Sequence, residues 1–148
     1  MFAGSHLLTI DDKGRLAIPA RFRQQLADDY GQQVYVTMGY EPCVEIYPAG
    51  VFKDLAQQIQ DMSDRRAADK LKQAFIGRAV EMELDKQGRV LLPQLLRKLA
   101  HLDGSVVLVG QINRFDVWAE NLWNERFGDA AGAGAAEDLA AAFSQLKR

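Results

Sequence analysis

An α+β fold, mainly β with short helices, in which two copies of one small unit pack into a single pseudo-dimeric barrel, is what this sequence predicts. Three observations lead there. The segment Asp11-Asp12-Lys13-Gly14-Arg15-Leu16-Ala17-Ile18-Pro19 returns in the second half as Asp85-Lys86-Gln87-Gly88-Arg89-Val90-Leu91-Leu92-Pro93. Both fit Asp-x-x-Gly-Arg-x-x-x-Pro, and each is followed four residues past the proline by an arginine, Arg23 and Arg97. Short apolar or alternating runs flank both copies, as half-buried strands require. Four short strands and a small helix bury too little apolar surface to stand alone, so each unit needs the other.

Taken in order, Leu7-Leu8-Thr9-Ile10 and Val80-Glu81-Met82-Glu83-Leu84 are strands running into the repeated motif. Asp11 to Gly14 and Asp85 to Gly88 are turns, where glycine gives backbone freedom and aspartate accepts from nearby amides. Leu16-Ala17-Ile18 and Val90-Leu91-Leu92 return as strands. Pro19 and Pro93 end them and suit a first helical position, where a missing N–H costs nothing. Phe22, Leu26 and Tyr30 line one face of the first helix, with Leu95, Leu99 and Leu102 as their counterparts on the second. Gly31 and Gly104 stop the two helices. Val34-Tyr35-Val36-Thr37 and Val106-Val107-Leu108-Val109 are the next strands, paired with Val44-Glu45-Ile46-Tyr47 and Phe115-Asp116-Val117-Trp118. Helices follow, carrying Phe52, Leu55, Ile59 and Met62 in one half and Leu122, Trp123 and Phe127 in the other. Residues 63–77, with Leu71 and Phe75 on one face, connect the halves. From Gly128 the run Asp129-Ala130-Ala131-Gly132-Ala133-Gly134-Ala135-Ala136 reads as flexible low-complexity sequence, with Leu139, Phe143 and Leu146 able to make a last amphipathic turn or two.

Composition bounds the function. At 148 residues, with 48% apolar and 26% charged side chains, the chain can bury one domain-sized core. No apolar run approaches the roughly 20 residues of a membrane span. Met1 to Ile10 lacks the basic start and cleavage site of a signal peptide. The single cysteine, Cys43, forbids an internal disulfide and suits a reducing cytosol. Net charge is −2, yet residues 11–23 and 78–98 are each net +2. Positive charge thus gathers on the repeated segments, as a local phosphate-binding surface requires.

The repeated turn carries the candidate chemistry. Arg15 and Arg89 offer planar donor forks that match a phosphate or the O6/N7 edge of guanine. Lys13 and Lys86 supply less directional charge to phosphates. Gly14 and Gly88 allow close backbone approach. Asp11 and Asp85, four residues before each arginine, can hold its guanidinium in one rotamer, so that less entropy is lost on binding. Arg23 and Arg97 are weaker candidates, because a helix arginine after proline can simply pair with acids of the sheet. A plain hairpin with a solvated ion pair explains one copy; two copies in register with the same proline and arginine do not arise from that alone. No metal site is expected, since His6, His101 and Cys43 share no ligand spacing. No catalytic residue and no cofactor is expected either. Ser5, Ser63, Ser105 and Ser144 lack an elbow motif, and Gly132–Gly134 has no preceding strand. Tyr35, Tyr40, Tyr47, Phe115 and Trp118 could stack single-stranded bases, but their alternation with polar residues favours core positions.

Met1-Phe2-x-Gly4, the two Asp-x-x-Gly-Arg-x-x-x-Pro motifs and Val109-Gly110-Gln111-x-x-x-Phe115-x-x-Trp118 together resemble the MraZ family of bacterial transcriptional regulators over about residues 1–127. The resemblance implies two tandem SpoVT/AbrB-like swapped-hairpin units, at 5–51 and 77–123. Connecting helices would lie at 52–76, and a helical end with the flexible tail at 124–148. It implies a DNA-binding signature, Asp-x-x-x-Arg, on Asp11–Arg15 and Asp85–Arg89, and protomers assembled into rings. It further implies a cytoplasmic, nucleoid-associated repressor that binds short G-rich direct repeats in double-stranded DNA at the promoter of the division and cell-wall gene cluster. No membrane or small-molecule partner is implied. Two other classes stay open on the residues themselves. One is a protein-interaction module whose basic loops dock an acidic partner. The other is a barrel enzyme on a phosphorylated metabolite, with Arg15 and Arg89 as phosphate ligands.

Overall fold

A computed structural model describes residues 1–128 and 131–148. The first half runs β1 (Ser5–Thr9), β2 (Arg15–Ala17), α1 (Ala20–Asp29), β3 (Gln33–Met38), β4 (Val44–Pro48) and α2 (Ala49–Asp61). Helix α3 (Arg65–Leu71) passes into a π-helical turn, Lys72–Ile76. The second half repeats the order with β5 (Val80–Glu83), β6 (Arg89–Leu91), α4 (Gln94–Leu99), β7 (Ser105–Gly110), β8 (Phe115–Ala119) and α5 (Glu120–Phe127), and α6 (Ala133–Phe143) follows.

The fold is α+β, dominated by a six-stranded antiparallel sheet in the order β1-β7-β8-β4-β3-β5, with β2 and β6 in a separate two-stranded antiparallel ribbon. Pairing crosses between the repeats. β1 lies on β7 from Ser5↔Val109 to Thr9↔Ser105, β5 lies on β3, β4 on β8, and β2 on β6.

The expected closed barrel is not what forms. β1 and β5 are the outer strands of the sheet, and among the described residues no ladder joins them. A three-residue ribbon spans only about 10 Å, too little to bridge both edges. Closure is by side chains instead. Leu16 and Val90 from the ribbon, Ile18 and Leu92 just after its strands, and Phe22, Leu26 and Leu96 from the helices join one core with Val34, Val36, Ile46, Val106, Leu108 and Val117 of the sheet. Phe2 seals one end, with its ring centroid 4.2 Å from that of Phe115.

Local details follow from residue chemistry, with four departures from the pattern read above. Pro19 and Pro93 sit one position earlier than expected, as N-caps of α1 and α4, where fixed φ and the absent N–H are again harmless. Helix α4 is ended by His101, with φ of 57°, and not by Gly104; the Leu102 N–H returns to the Arg97 carbonyl at 2.8 Å, a Schellman-type closure. The buried face of α4 is Leu96 and Ala100, while Leu95 and Leu99 are 58% and 38% exposed. Leu96 and Ala100 occupy the repeat positions of Phe22 and Leu26, so the repeat register and not the leucine spacing sets burial. Residues Ala133–Phe143, where flexible chain to Ala136 and at most a short amphipathic turn or two around Leu139 and Phe143 are expected, form one continuous helix with no buried residue. Alanine has the highest helix propensity, and it supplies six of the eleven residues of α6. The part of that expectation on Asp129 and Ala130 lies outside the described residues.

The outer face of the sheet is covered unevenly. Tyr47 packs with Phe52 and Ile59 of α2, Ala68 of α3 and Phe75, and the Thr37 hydroxyl donates to the Phe75 carbonyl at 2.7 Å. Cys43, Val107, Val109 and Trp118 meet Leu122 and Trp123 of α5. Of the aromatics, Phe115, Tyr47 and Trp118 are buried as expected, whereas Tyr40 is 96% exposed.

Phe22→Ala removes a ring that touches Phe2, His6 and Phe115 and is expected to cost about 3–5 kcal/mol in urea unfolding. Leu95→Ala is expected to stay within about 0.5 kcal/mol. Comparable losses at both positions would refute this assignment of the α4 face.

Candidate nucleic-acid interface

The two repeated turns have the same internal wiring. In the first, Asp11 Oδ1 accepts from the N–H groups of Lys13 at 3.0 Å and Arg15 at 2.8 Å, and Oδ2 accepts from Arg15 Nε at 2.6 Å. In the second, Asp85 Oδ1 accepts from Gln87 and Arg89 N–H, both at 2.9 Å, and Oδ2 from Arg89 Nε at 2.8 Å. A backbone pair closes each turn: Asp11 N–H to Arg15 O and Gly14 N–H to Asp11 O, both 3.0 Å, with equivalents at Asp85, Gly88 and Arg89. Gly14 and Gly88 have φ of 87° and 75°, a region that side-chain-bearing residues enter at a cost. One carboxylate therefore organises a whole turn and orients its arginine through Nε, leaving the terminal nitrogens of the fork for another partner.

The ribbon brings the turns onto one surface. β2 and β6 pair as Arg15↔Leu91, Leu16↔Val90 and Ala17↔Arg89. Leu16 and Val90 point into the core, so Arg15, Ala17, Arg89 and Leu91 share the outer face. Strand geometry sets the Cα atoms of Arg15 and Arg89 about 8 Å apart. Lys13 and Lys86 are exposed at the turn tips. A cleft of about 600 Å³, lined in part by Arg23, Gln24, Gln32, Asp85 and Lys86, opens beside the second turn.

Arg23 and Arg97 do not pair with sheet acids. Arg23 Nε donates to the Ile18 carbonyl at 3.0 Å and Arg97 Nε to the Leu92 carbonyl at 2.9 Å. Each lies across the glycine of the opposite repeat. A Cβ on Gly14 would stand 2.5 Å from Arg97 Nε, and one on Gly88 would stand 2.2 Å from Arg23 Cδ.

A second polar grouping escapes the spacing argument. Ligand-type atoms of Cys43, Glu45 and Asp116 lie within 4.8 Å of one another and are buried. Glu45 and Asp116 face each other across β4 and β8, which the matching strand alignment makes findable from sequence. Arg114 already answers both acids, at 2.9 Å from Asp116 and 3.7 Å from Glu45, and Tyr47 Oη donates to Glu45 at 2.9 Å. Burial pushes the Cys43 thiol up, which opposes thiolate ligation. Burial also raises Glu45, against the opposing pull of Arg114. The arrangement is that of a satisfied ion-pair network.

Fold and turns together define a duplicated α+β chain that presents two aspartate-locked arginines on one short β-ribbon. Similarity to known proteins bears on which family such a chain belongs to. The family model described as "MraZ protein, putative antitoxin-like" matches twice, at residues 1–75 and 75–145. A "Transcriptional regulator MraZ" of Methylococcus capsulatus is 40% identical over 84% of this chain and 82% of its own. One of Shewanella piezotolerans is 37% identical over 95% of this chain and 94% of its own. One of Pseudomonas savastanoi pv. phaseolicola is 40% identical over 84% and 83%. The chain belongs to the MraZ family. Among the described residues no helix is long and apolar enough to cross a membrane.

Accepted N–H bonds from Arg15 and Arg89 are the main reason that Asp11 and Asp85 titrate below ordinary aspartate. A carboxylate depressed in the folded state contributes order above its unfolded pKa and loses it as pH falls through the folded one. Both turns are therefore expected to stay ordered through neutral and mildly acidic pH and to loosen in strong acid. Carboxyl NMR titration checks this, and a midpoint for Asp11 or Asp85 at or above that of free aspartate would refute the lock.

Proposed function

We propose that this chain is a sequence-specific regulator of transcription that binds double-stranded DNA through the β2–β6 ribbon. One observation carries the reading: two arginines, each held by its own aspartate, share the solvent face of a ribbon whose other face is core. A two-stranded ribbon fits a major groove about 12 Å wide, and arginine forks match guanine O6/N7. In this reading Arg15 and Arg89 contact bases or phosphates, and Lys13 and Lys86 contact phosphates. Gly14 and Gly88 shape the turns, and Asp11 and Asp85 fix the arginines. The relatives are named transcriptional regulators, which supports regulation over an enzymatic role.

The finer design belongs to the same proposal. Cross-repeat pairing of β1 with β7 and β5 with β3 supports two AbrB-like swapped-hairpin units, residues 5–51 and 77–123, which mimic a dimer within one chain. Residues 52–76 join the units, and 124–148 form an appendage. Copies of the chain assemble as a homo-oligomer, a ring, so that rotation presents the same ribbon to successive short G-rich direct repeats and weak single contacts add by avidity. The regulator acts as a repressor of the division and cell-wall gene cluster, in the cytoplasm at the nucleoid. Family resemblance supports these last points.

Binding to a G-rich direct-repeat duplex, titrated with salt against scrambled DNA, tests the reading. Repeat-specific binding is expected to weaken steeply with salt, and Arg15→Ala is expected to remove about 1–3 kcal/mol per site. Lys13→Ala is expected to reduce the salt slope by about one per contact with little change in specificity. Equal binding to both duplexes, or no effect of Arg15→Ala, would reject the reading in favour of an interaction module that docks an acidic protein.

A further inference from the structure

We infer that Arg23 and Arg97 are positioning residues that act across the repeats, Arg97 setting the Asp11–Arg15 turn and Arg23 the Asp85–Arg89 turn. The inference rests on the DNA-binding reading for its consequence, but its structural half stands apart from it.

The geometry has the same three parts on each side. The Leu92 N–H donates to the Gly14 carbonyl at 2.8 Å, and the Leu92 carbonyl accepts from Arg97 Nε at 2.9 Å. The guanidinium of Arg97 then lies flat enough against Gly14 that a single added methyl would meet Nε, Cζ and Nη2 at 2.5, 2.6 and 2.9 Å. On the other side the Ile18 N–H donates to the Gly88 carbonyl at 3.0 Å, and the Ile18 carbonyl accepts from Arg23 Nε at 3.0 Å. Arg23 covers Gly88 with Cδ, Nε and Nη1 at 2.2, 2.7 and 2.8 Å from the hypothetical methyl.

Each turn is thus locked from inside by its own aspartate and from outside by the opposite repeat. The internal lock fixes the arginine relative to its turn. The external brace fixes the turn relative to the ribbon, which decides where both arginines stand with respect to each other. Two arginines about 8 Å apart can read neighbouring bases only if that spacing is held. Lysine cannot replace the brace, because it has neither a planar face for the glycine nor the rigid Nε donor. The glycine requirement also has a cause here beyond positive φ: the space over Gly14 and Gly88 is already filled by arginine.

The test uses the full chain with Arg97→Ala and Arg97→Lys, and two readouts. Amide hydrogen exchange, without DNA, is expected to quicken at Gly14 and Arg15 in both variants while Gly88 and Arg89 keep their protection. Affinity for the direct-repeat duplex is expected to fall on the order of 10-fold in Arg97→Ala, with no rescue by lysine. In double-mutant cycles Arg97→Ala is expected to couple by about 10-fold to Arg15→Ala and not to Arg89→Ala. Arg23→Ala is expected to couple to Arg89→Ala instead. Full rescue by lysine, or additivity with both arginines, would overturn the inference and make Arg97 a direct phosphate contact. Unchanged exchange at Gly14 and Arg15 would overturn it as well. If the wild-type chain binds no duplex, the functional reading fails, and the exchange experiment still decides whether the brace exists.

Discussion

Pairing of β2 with β6 is the constraint on which the rest depends. Three residue pairs join the repeats back to back, and their inner side chains, Leu16 and Val90, are 0% and 1% exposed. That burial commits the outer face of the same ribbon to Arg15 and Arg89, because side chains alternate along a strand. Core formation and display of the arginines are one event. A slip of one residue in the ribbon would bury the arginines and expose the core, so the register is fixed by hydrophobic burial.

The aspartates add order where the core cannot reach. A short turn at the surface has few apolar contacts to hold it, and a long arginine side chain carries much rotamer entropy. Asp11 and Asp85 answer both with three accepted bonds each, to two amides and one guanidinium. As exposed ion pairs these contribute little to global stability. Their effect lies in pre-arranging donors that a flexible loop would have to order on binding.

The repeats are alike where strands interleave and different where they do not. Arg114 stands in the second half where Cys43 stands in the first, each preceding its strand. A strictly duplicated sequence would have put two arginines or none beside the facing acids Glu45 and Asp116. One arginine serves both carboxylates, and the uncharged thiol fills the matching place. The outer coverings diverge as well: α3 and the π turn close over Tyr47 and Phe52 in the first half, whereas α6 buries nothing.

Sequence alone determined the duplication, the eight strands and the composition of the two turns, because these depend on short-range chemistry: alternation, glycine, proline and the reach from an aspartate to an arginine four residues on. It also supplied Phe22 and Leu26 as core. It placed Leu102 in the core correctly but misjudged Leu95 and Leu99 of α4, where helical spacing was less informative than the repeat register that buries Leu96 and Ala100. It left Tyr40 among the core aromatics and the alanine-rich tail without a full helix. Only tertiary structure decided that the sheet stays open and that β1 pairs with β7 rather than within its own repeat. The same holds for Arg23 and Arg97, which cover glycines of the opposite half. These outcomes rest on contacts between residues far apart in the chain, where many pairings satisfy local preference equally and the packing of one shared core selects among them.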